Sequence, residues 1–445
     1  MYFFFMKNSE PENHSQSQHG YIRFVFIYFL LQSLPISQDF LRAVIGTDWL
    51  HIGYGDLFTF SRLTPQFISG QESFLNWVII ALLAAAGTLI WGKLKLKNID
   101  TDTLYYWTRV IVRYRLAIGI LGYGFIKLFP MQAPYPSLSN LHTNYGDLTD
   151  WKMFSMSLGI VPAYESFLGA VEILAGLLLL FRKTATLGAL TVLIFTGNVF
   201  ISNLAYDGGE YVYSFYLISF ALFVLSFDAV RIFTLISLNR PAQPNRFRLH
   251  LTANLKTTRL FLKGLVIFIF VFVYGVKTYQ GFAYDPYQFP KNAGLSKASG
   301  IYNVREFRIN GKILPYSQTD PIRWKDVVFE KWATLSIRSN RPVIIDSTNF
   351  EKIQKEDFNR NYELSGVASR HYYSYKADSS GHSIALKNKN RHFPGETLQF
   401  QLARPDSLTI ILSGRDQNSD SLYVVLEKIQ KKYPLYLGRR NPLTL

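Results

Sequence analysis

Two patterns of hydrophobic positions divide this chain. Up to about residue 282 the apolar residues come in long runs, and from Ala283 onward they alternate in short ones. A helix needs roughly 20 apolar residues to cross the hydrocarbon core of a bilayer. Seven runs approach that length: Tyr21–Leu34, Phe74–Trp91, Trp107–Phe129, Ala163–Phe181, Ala185–Tyr206, Tyr211–Ile236 and Leu260–Tyr279. The first is the weakest, being short, carrying Arg23 and stopping at Pro35. No signal-peptidase pattern is evident near it, so it reads as a retained anchor.

The second pattern predicts nine short strands, at Val304–Ile309, Ala333–Ile337, Pro342–Ile345, His371–Tyr375, Ser383–Leu386, Thr397–Leu402, Ser407–Leu412, Leu422–Leu426 and Pro434–Leu437. Turn signals such as Asn310-Gly311, Ser379-Ser380-Gly381 and Pro394-Gly395 separate them. Period-two strands of this length fold as an antiparallel sandwich or small barrel. Phe350–Asn359 is predicted as one short helix. The organisation that follows is an α-helical membrane bundle of about seven transmembrane helices plus a C-terminal β-rich sandwich or barrel. The boundaries fall at 1–106 (N-terminal membrane helices with an outer loop), 107–236 (a four-helix membrane unit), 237–282 (a basic loop and the last membrane helix) and 283–445 (the β-rich domain).

Charge supplies the orientation. Lys and Arg number 47 against 31 Asp and Glu, a net +16. Counted on alternate loops of the helical half, 17 cations fall on one side, among them Lys93, Arg182, Lys183, Arg231 and Lys256, and four on the other, Arg42, Arg62, Lys127 and Lys152. Cations are retained on the cytoplasmic side. The amino terminus is therefore expected inside and residues 283–445 outside, in the periplasm of a bacterial inner membrane. The cations of the β-rich half are scattered rather than bunched. They predict a solvated face near anionic headgroups, not a nucleic-acid surface.

Composition removes several chemistries. With no Cys there are no disulfides, thiolate nucleophiles, Cys-ligated zinc or iron–sulfur clusters. The eight His all lie outside the apolar runs, so a bis-His haem inside the bundle has no ligands, and no metal site is expected. Gly-rich phosphate loops, GxSxG and HExxH do not occur. Asp320-Pro321-Ile322-Arg323-Trp324 reads as ordinary turn structure.

Polar residues inside apolar helices are costly and mark the best candidates for function. Arg115, Gly119, Tyr123 and Lys127 recur every four residues along the third run; Glu165, Gly169, Glu172 and Gly176 share a face of the fourth. The fifth ends with Asn198, Ser202, Asn203, Tyr206 and Asp207, and the sixth begins with Glu210, Tyr211, Tyr213 and Ser214. The alternating topology gathers these groups at similar depth, with Lys127 facing Glu172. Three readings stay open: an ion pair fixing helix register, a pocket for a lipid-soluble ligand such as a quinone, and a proton or ion pathway. The loop Pro130–Tyr164, rich in Pro and aromatics, suggests an interfacial anchor or a lid. The outer loop Ser37–Ser73 is similarly aromatic.

From Arg113 to Ile236 the chain resembles the DoxX-like family of bacterial four-helix membrane proteins. The residues that carry this are Arg115, Tyr123-Gly124-Phe125-Ile126-Lys127, Gly169-Ala170-Val171-Glu172, Arg182-Lys183-Thr184, Asn198, Asn203, Tyr206-Asp207, Asp228 and Arg231. The joined β-rich half looks like that of the large DoxX-like proteins of Bacteroidota. In those, Tyr-Asp is followed by Val-Pro-Val-Lys; here Gly208-Gly209-Glu210-Tyr211 follows, and an acid replaces the cation. The resemblance implies a quinone-related or membrane oxidoreductase-complex role. In that role Tyr123 and Lys127 would donate hydrogen bonds, and Glu172 and Asp207 would hold or exchange protons, with Glu165, Asn198, Asn203 and Tyr206 completing the cluster. The alternative is a non-enzymatic envelope or assembly protein whose outer β domain grips a partner.

Overall fold

In a computed structural model, the structure describes residues 13–68, 72–94, 100–242, 252–346, 353–378 and 380–435. Among these, thirteen α-helices form: α1 (Asn13–Ser33), α2 (Gln38–Gly46), α3 (Tyr54–Arg62), α4 (Phe74–Lys93), α5 (Thr101–Leu128), α6 (Leu138–Leu141), α7 (Asp150–Gly159), α8 (Pro162–Leu179), α9 (Ala185–Ala205), α10 (Tyr211–Ser226), α11 (Ala229–Ile236), α12 (Ala253–Ile267) and α13 (Tyr274–Tyr284). A π-helical stretch, Phe268–Val273, joins the last two. By close approach of the backbone the chain divides into two units. One holds Met1–Leu128 and Leu168–Tyr279, the other Phe129–Phe167 and Gln280–Leu445.

All seven apolar runs are helical, yet fewer than seven qualify as spans. Four helices are long and apolar enough to cross a membrane: Phe74–Lys93, Pro162–Leu179, Ala185–Ala205 and Ala253–Tyr284. The count is six if each of two bent pairs is one span. Gly20–Ser33 and Gln38–Gly46 meet at 42°, and Tyr211–Ser226 and Ala229–Ile236 at 73°. The expected single run Tyr211–Ile236 is thus broken at Phe227-Asp228. α5 falls short for a different reason: Arg109, Arg113, Arg115 and Lys127 make it too charged. It is instead buried almost continuously from Leu116 to Lys127. Glycines let α8 lie directly on it. A Cβ at Gly169 would stand 2.6 Å from the Gly124 carbonyl oxygen, and one at Gly176 would stand 2.7 Å from Leu121 Cγ. Small residues at such crossings allow backbones to meet.

The other unit is an eight-stranded antiparallel barrel. The strands of this unit are β1 (Gly300–Ile309), β2 (Lys312–Ile313), β3 (Asp326–Phe329), β4 (Thr334–Arg338), β5 (Arg370–Ala377), β6 (Ser383–Asn388), β7 (Thr397–Ala403), β8 (Thr409–Asp416) and β9 (Ser421–Lys428), with β2 outside the ring of eight. Each strand from β3 to β9 pairs with the next, β1 pairs with β3, and β9 returns to β1 and closes the ring. The short β2 extends β1 as a hairpin. Its loop Asn310-Gly311 takes positive φ at both residues (50° and 77°), the backbone that two-residue hairpins need. β7 alternates buried and exposed along its whole length. Its inward residues join Tyr302, Phe307, Trp324, Phe329, Leu412 and Val424 in one core. The barrel is filled with side chains, as a ring of eight strands permits.

Two expected strands fail. Pro342–Ile345 is irregular: Pro342 lacks an N–H, Ile344 and Ile345 are exposed, and the Ile344 carbonyl accepts from Asn390 Nδ2 (2.8 Å). Residues 434–435 form a turn, and 436–437 lie outside the described residues. Of the short helix expected at Phe350–Asn359 only the 3₁₀ turn Asp357–Asn359 forms, and residues 347–352 lie outside the described residues. So does Ser379 of the Ser379-Ser380-Gly381 turn.

The loop Pro130–Tyr164, whose aromatics suggested a lid, is built into the barrel unit. Glu330 accepts the Ser139 N–H (2.7 Å) and hydroxyl (2.6 Å), and Asn140 Nδ2 donates to the Glu363 carbonyl (2.8 Å). Lys152 is fully buried: its ammonium donates to the Tyr362 carbonyl and sits 3.7 Å from the centre of that residue's ring. Burial pushes this ammonium down to about 7. Arg323 donates to the carbonyls of Leu314, Trp324 and Val304, each at 3.0 Å, so the Asp320–Trp324 turn is structural closure.

Candidate polar site in the helical unit

The polar stripe on α5 does not face one neighbour. Its members are four residues apart, and each four-residue step overshoots a 3.6-residue turn by about 40°. Over three steps the stripe winds about 120° round the helix, so its first and last members meet different elements.

Arg115 reaches the carboxyl end of α3, where its guanidinium donates to the carbonyls of Ser61 (2.7 Å) and Leu63 (2.6 Å). A cation there satisfies orphan carbonyls and the negative end of the helix dipole. It also fixes the direction of Arg62. That guanidinium lies 3.0 and 2.9 Å from the two Glu210 carboxylate oxygens and 3.6 Å from Glu72 Oε1. Rings of Phe58, Tyr123 and Tyr213 surround it at 5.7–5.9 Å. Tyr123 completes the array by donating to Glu210 Oε2 (3.2 Å). Beside it lies a small cleft lined by Gln32, Glu72, Asn76, Trp77, Tyr213 and Tyr216, with room for about one water. Glu72 precedes α4 and is mostly buried there. Burial pushes its carboxyl up to about 7, opposed by Arg62 and helped by Glu210.

Lys127, the last of the stripe, meets α8. Its ammonium lies 2.5 Å from Glu172 Oε1, and both side chains are more than 90% buried. Glu172 Oε2 is buried and has no hydrogen-bond partner among the described residues.

The remaining expected residues separate from these. Glu165 is fully buried in the barrel unit and accepts the N–H groups of Gln132 (2.9 Å) and Ala133 (3.0 Å), so it anchors a loop. Asn203 serves the α9–α10 turn: its amide nitrogen donates to the Val199 carbonyl and its oxygen accepts the Glu210 N–H. Asn198, Tyr206 and Asp207 are exposed, with Asp207 at φ 52° in that turn. The structure brings together Lys127 with Glu172, and Tyr123 with Glu210; it does not gather all eight into one cluster.

Sequence reading missed Arg62 and Glu72 as site residues. The available signal was a pair of opposite charges at the two ends of the link between α3 and α4. Glu210 was visible as the acid after Gly208-Gly209. Among the described residues no group of three or more His, Asp or Glu is placed to hold a metal ion. Comparison with family models, with curated proteins and with solved structures finds no match.

Proposed function

We propose that this chain is an integral membrane protein, of the DoxX-like type, that binds the polar end of a lipid-soluble ligand, a quinone for example, at the Glu72 cleft. In this reading it works as a component of a membrane oxidoreductase complex. One observation carries the proposal: a carboxyl with an affinity for protons near neutrality opens onto a cleft walled by Trp77, Tyr213 and Tyr216. The donor set suits a carbonyl oxygen, which accepts from a protonated carboxyl or a phenol. The space suits one such oxygen and not a ring, so the ring would rest outside, against Trp77. A bound quinone would supply two-electron, two-proton chemistry; the chain's own part is to orient the carbonyl and to hold a proton at Glu72.

The pH dependence follows. Below about pH 7 Glu72 is mostly protonated and donates; above it the carboxylate repels a carbonyl oxygen. Binding of a short-tailed quinone, read by quenching of tryptophan fluorescence in nanodiscs, should weaken as pH rises through 7. Glu72→Gln should flatten that profile. A purified protein that carries no quinone by native mass spectrometry and binds none on either side of neutrality would reject the proposal.

One observation favours a second reading. The barrel is filled by its own side chains, which leaves only its outer surface for recognition. That suits an envelope protein whose barrel grips a partner. Full-length protein that recovers one specific partner from membranes after crosslinking, with no quinone present, would favour it.

A further inference from the structure

We infer that α11 is an interfacial helix that lies along the basic face of the membrane and binds anionic lipid headgroups. Four observations carry this.

The first is direction. α10 rises about 24 Å over its 16 residues, most of the roughly 30 Å hydrocarbon thickness. At Phe227-Asp228 the chain turns by 73°. A helix at that angle to a span lies near the membrane plane. The turn does not lead back into the bundle, because no residue of α11 is buried.

The second is the face. Ala229, Ile232, Phe233 and Ile236 fall within about 100° of one another round the helix, and Arg231 and Thr234 lie opposite. Phe233 and Ile236 are 57% and 74% exposed. An amphipathic helix with large apolar residues on one side and a cation on the other is the form that settles at a headgroup boundary.

The third is charge. Arg231, Arg240, Arg182 and Lys183 are exposed, and all belong to the side with the cation excess. Cations beside a membrane surface attract anionic lipid.

The fourth is the hinge, which is tied down. Asp228 Oδ2 accepts from Arg109 Nη2 on α5 (3.1 Å) and from the Thr186 hydroxyl on α9 (2.5 Å). The Arg109 guanidinium lies 3.8 Å from the centre of the Phe227 ring. The direction of α11 is therefore set by two helices of the bundle besides its own.

The absence of Cys makes the test direct. Single-Cys variants from Val230→Cys to Leu238→Cys, spin-labelled in proteoliposomes, report collision with oxygen, which partitions into lipid, and with a water-soluble nickel chelate. Oxygen collision should peak at Ile232, Phe233 and Ile236, nickel collision at Arg231 and Thr234, with a period near 3.6 residues. Labels more accessible to nickel than to oxygen at every position would overturn the inference. So would a Phe233 position closed to both reagents, since that face would then be covered by protein such as a second copy. The lipid class is read separately. The label at Phe233 should sit deeper in phosphatidylcholine vesicles containing phosphatidylglycerol than in phosphatidylcholine alone. Arg231→Gln with Arg240→Gln, both at exposed positions, should abolish the difference. Equal depth in the two lipids would overturn the anionic assignment.

Discussion

Lys127 and Glu172 show what a buried charge demands of its surroundings. Taking two ions out of water is repaid only if each holds the other closely, and removing one partner strands the other at a cost of about 3–5 kcal/mol. The pair meets at 2.5 Å, so Lys127→Met or Glu172→Leu alone should lower the midpoint of thermal unfolding in detergent by many degrees. The double variant, with two apolar side chains in the same space, should recover most of that loss. Single effects that simply add in the double variant would show that the two groups act independently. Two histidines of the barrel unit, His142 and His371, make the opposite case, being held neutral. Burial, with Lys431 and Arg370 nearby, pushes His142 down to about 4, and burial beside Arg341 does the same to His371. The unfolded chain binds these protons near 6.5 and the folded one refuses them until about 4. Stability is therefore undiminished above 6.5 and falls as pH drops from 6.5 toward 4. His142→Gln and His371→Gln should each unfold at a temperature less sensitive to acidification across that window. An acid sensitivity identical to wild type would reject the assignment.

Helices and strands were legible in proportion to how regularly their own residues repeat. Every long apolar run became a helix, because hydrophobic length needs no knowledge of neighbours. The break after α10 was not visible, since Phe227-Asp228 sits inside an otherwise apolar run and only the bonds from Asp228 to α5 and α9 mark it. The meeting of Lys127 with Glu172 could be foreseen from depth, whereas the Arg62–Glu210–Glu72 array could not, because its parts stand at helix ends beside links whose course depends on the packed bundle. Among the strands, β7 alternates cleanly and was found. β3 was missed because all four of its residues are buried, which erases the two-residue period. The contact of α5 with α8 was legible only as a row of glycines, and it yields a prediction at this scale. Gly169→Leu would drive a branched side chain into the Gly124 carbonyl, already 2.6 Å from a single Cβ. Overpacking costs about 1–3 kcal/mol or more, and here the obstacle is backbone that cannot rotate away. The variant should lose its single sharp peak in size-exclusion chromatography, while Gly197→Leu, where a Cβ meets nothing within 4 Å, should keep it.

The barrel unit is assembled from two stretches of chain that the membrane-helix sequence separates, and this decides which pieces can fold. The outward faces of β3, β4 and β5 carry polar residues that are nevertheless buried: Asp326, Thr334, Ser336 and Arg370 are at most 5% exposed. Residues 137–152 cover them. Ser336 bonds the Ser139 hydroxyl (2.7 Å) and Arg370 Nε (3.0 Å), and Arg370 reaches Asp326 at 2.5 Å. Backbone joins the two stretches as well, through Thr149 N–H to the Gly366 carbonyl (3.0 Å) and Ala368 N–H to the Asp147 carbonyl (2.9 Å). Leu148 packs on Leu364, Val367 and Tyr372. Residues 283–445 alone would keep the barrel core but lose this cover, baring an apolar cluster and leaving Glu330 without the Ser139 donors. An isolated 283–445 fragment should therefore unfold at a temperature lower by about 10 °C, as a loss of roughly 3 kcal/mol implies for a chain of this size, or aggregate outright. A chain joining residues 129–161 through a flexible Gly/Ser linker to 283–445 should restore a single cooperative transition by circular dichroism. If the two fragments melt alike, the buried polar belt contributes nothing net, and the barrel stands on its apolar interior alone.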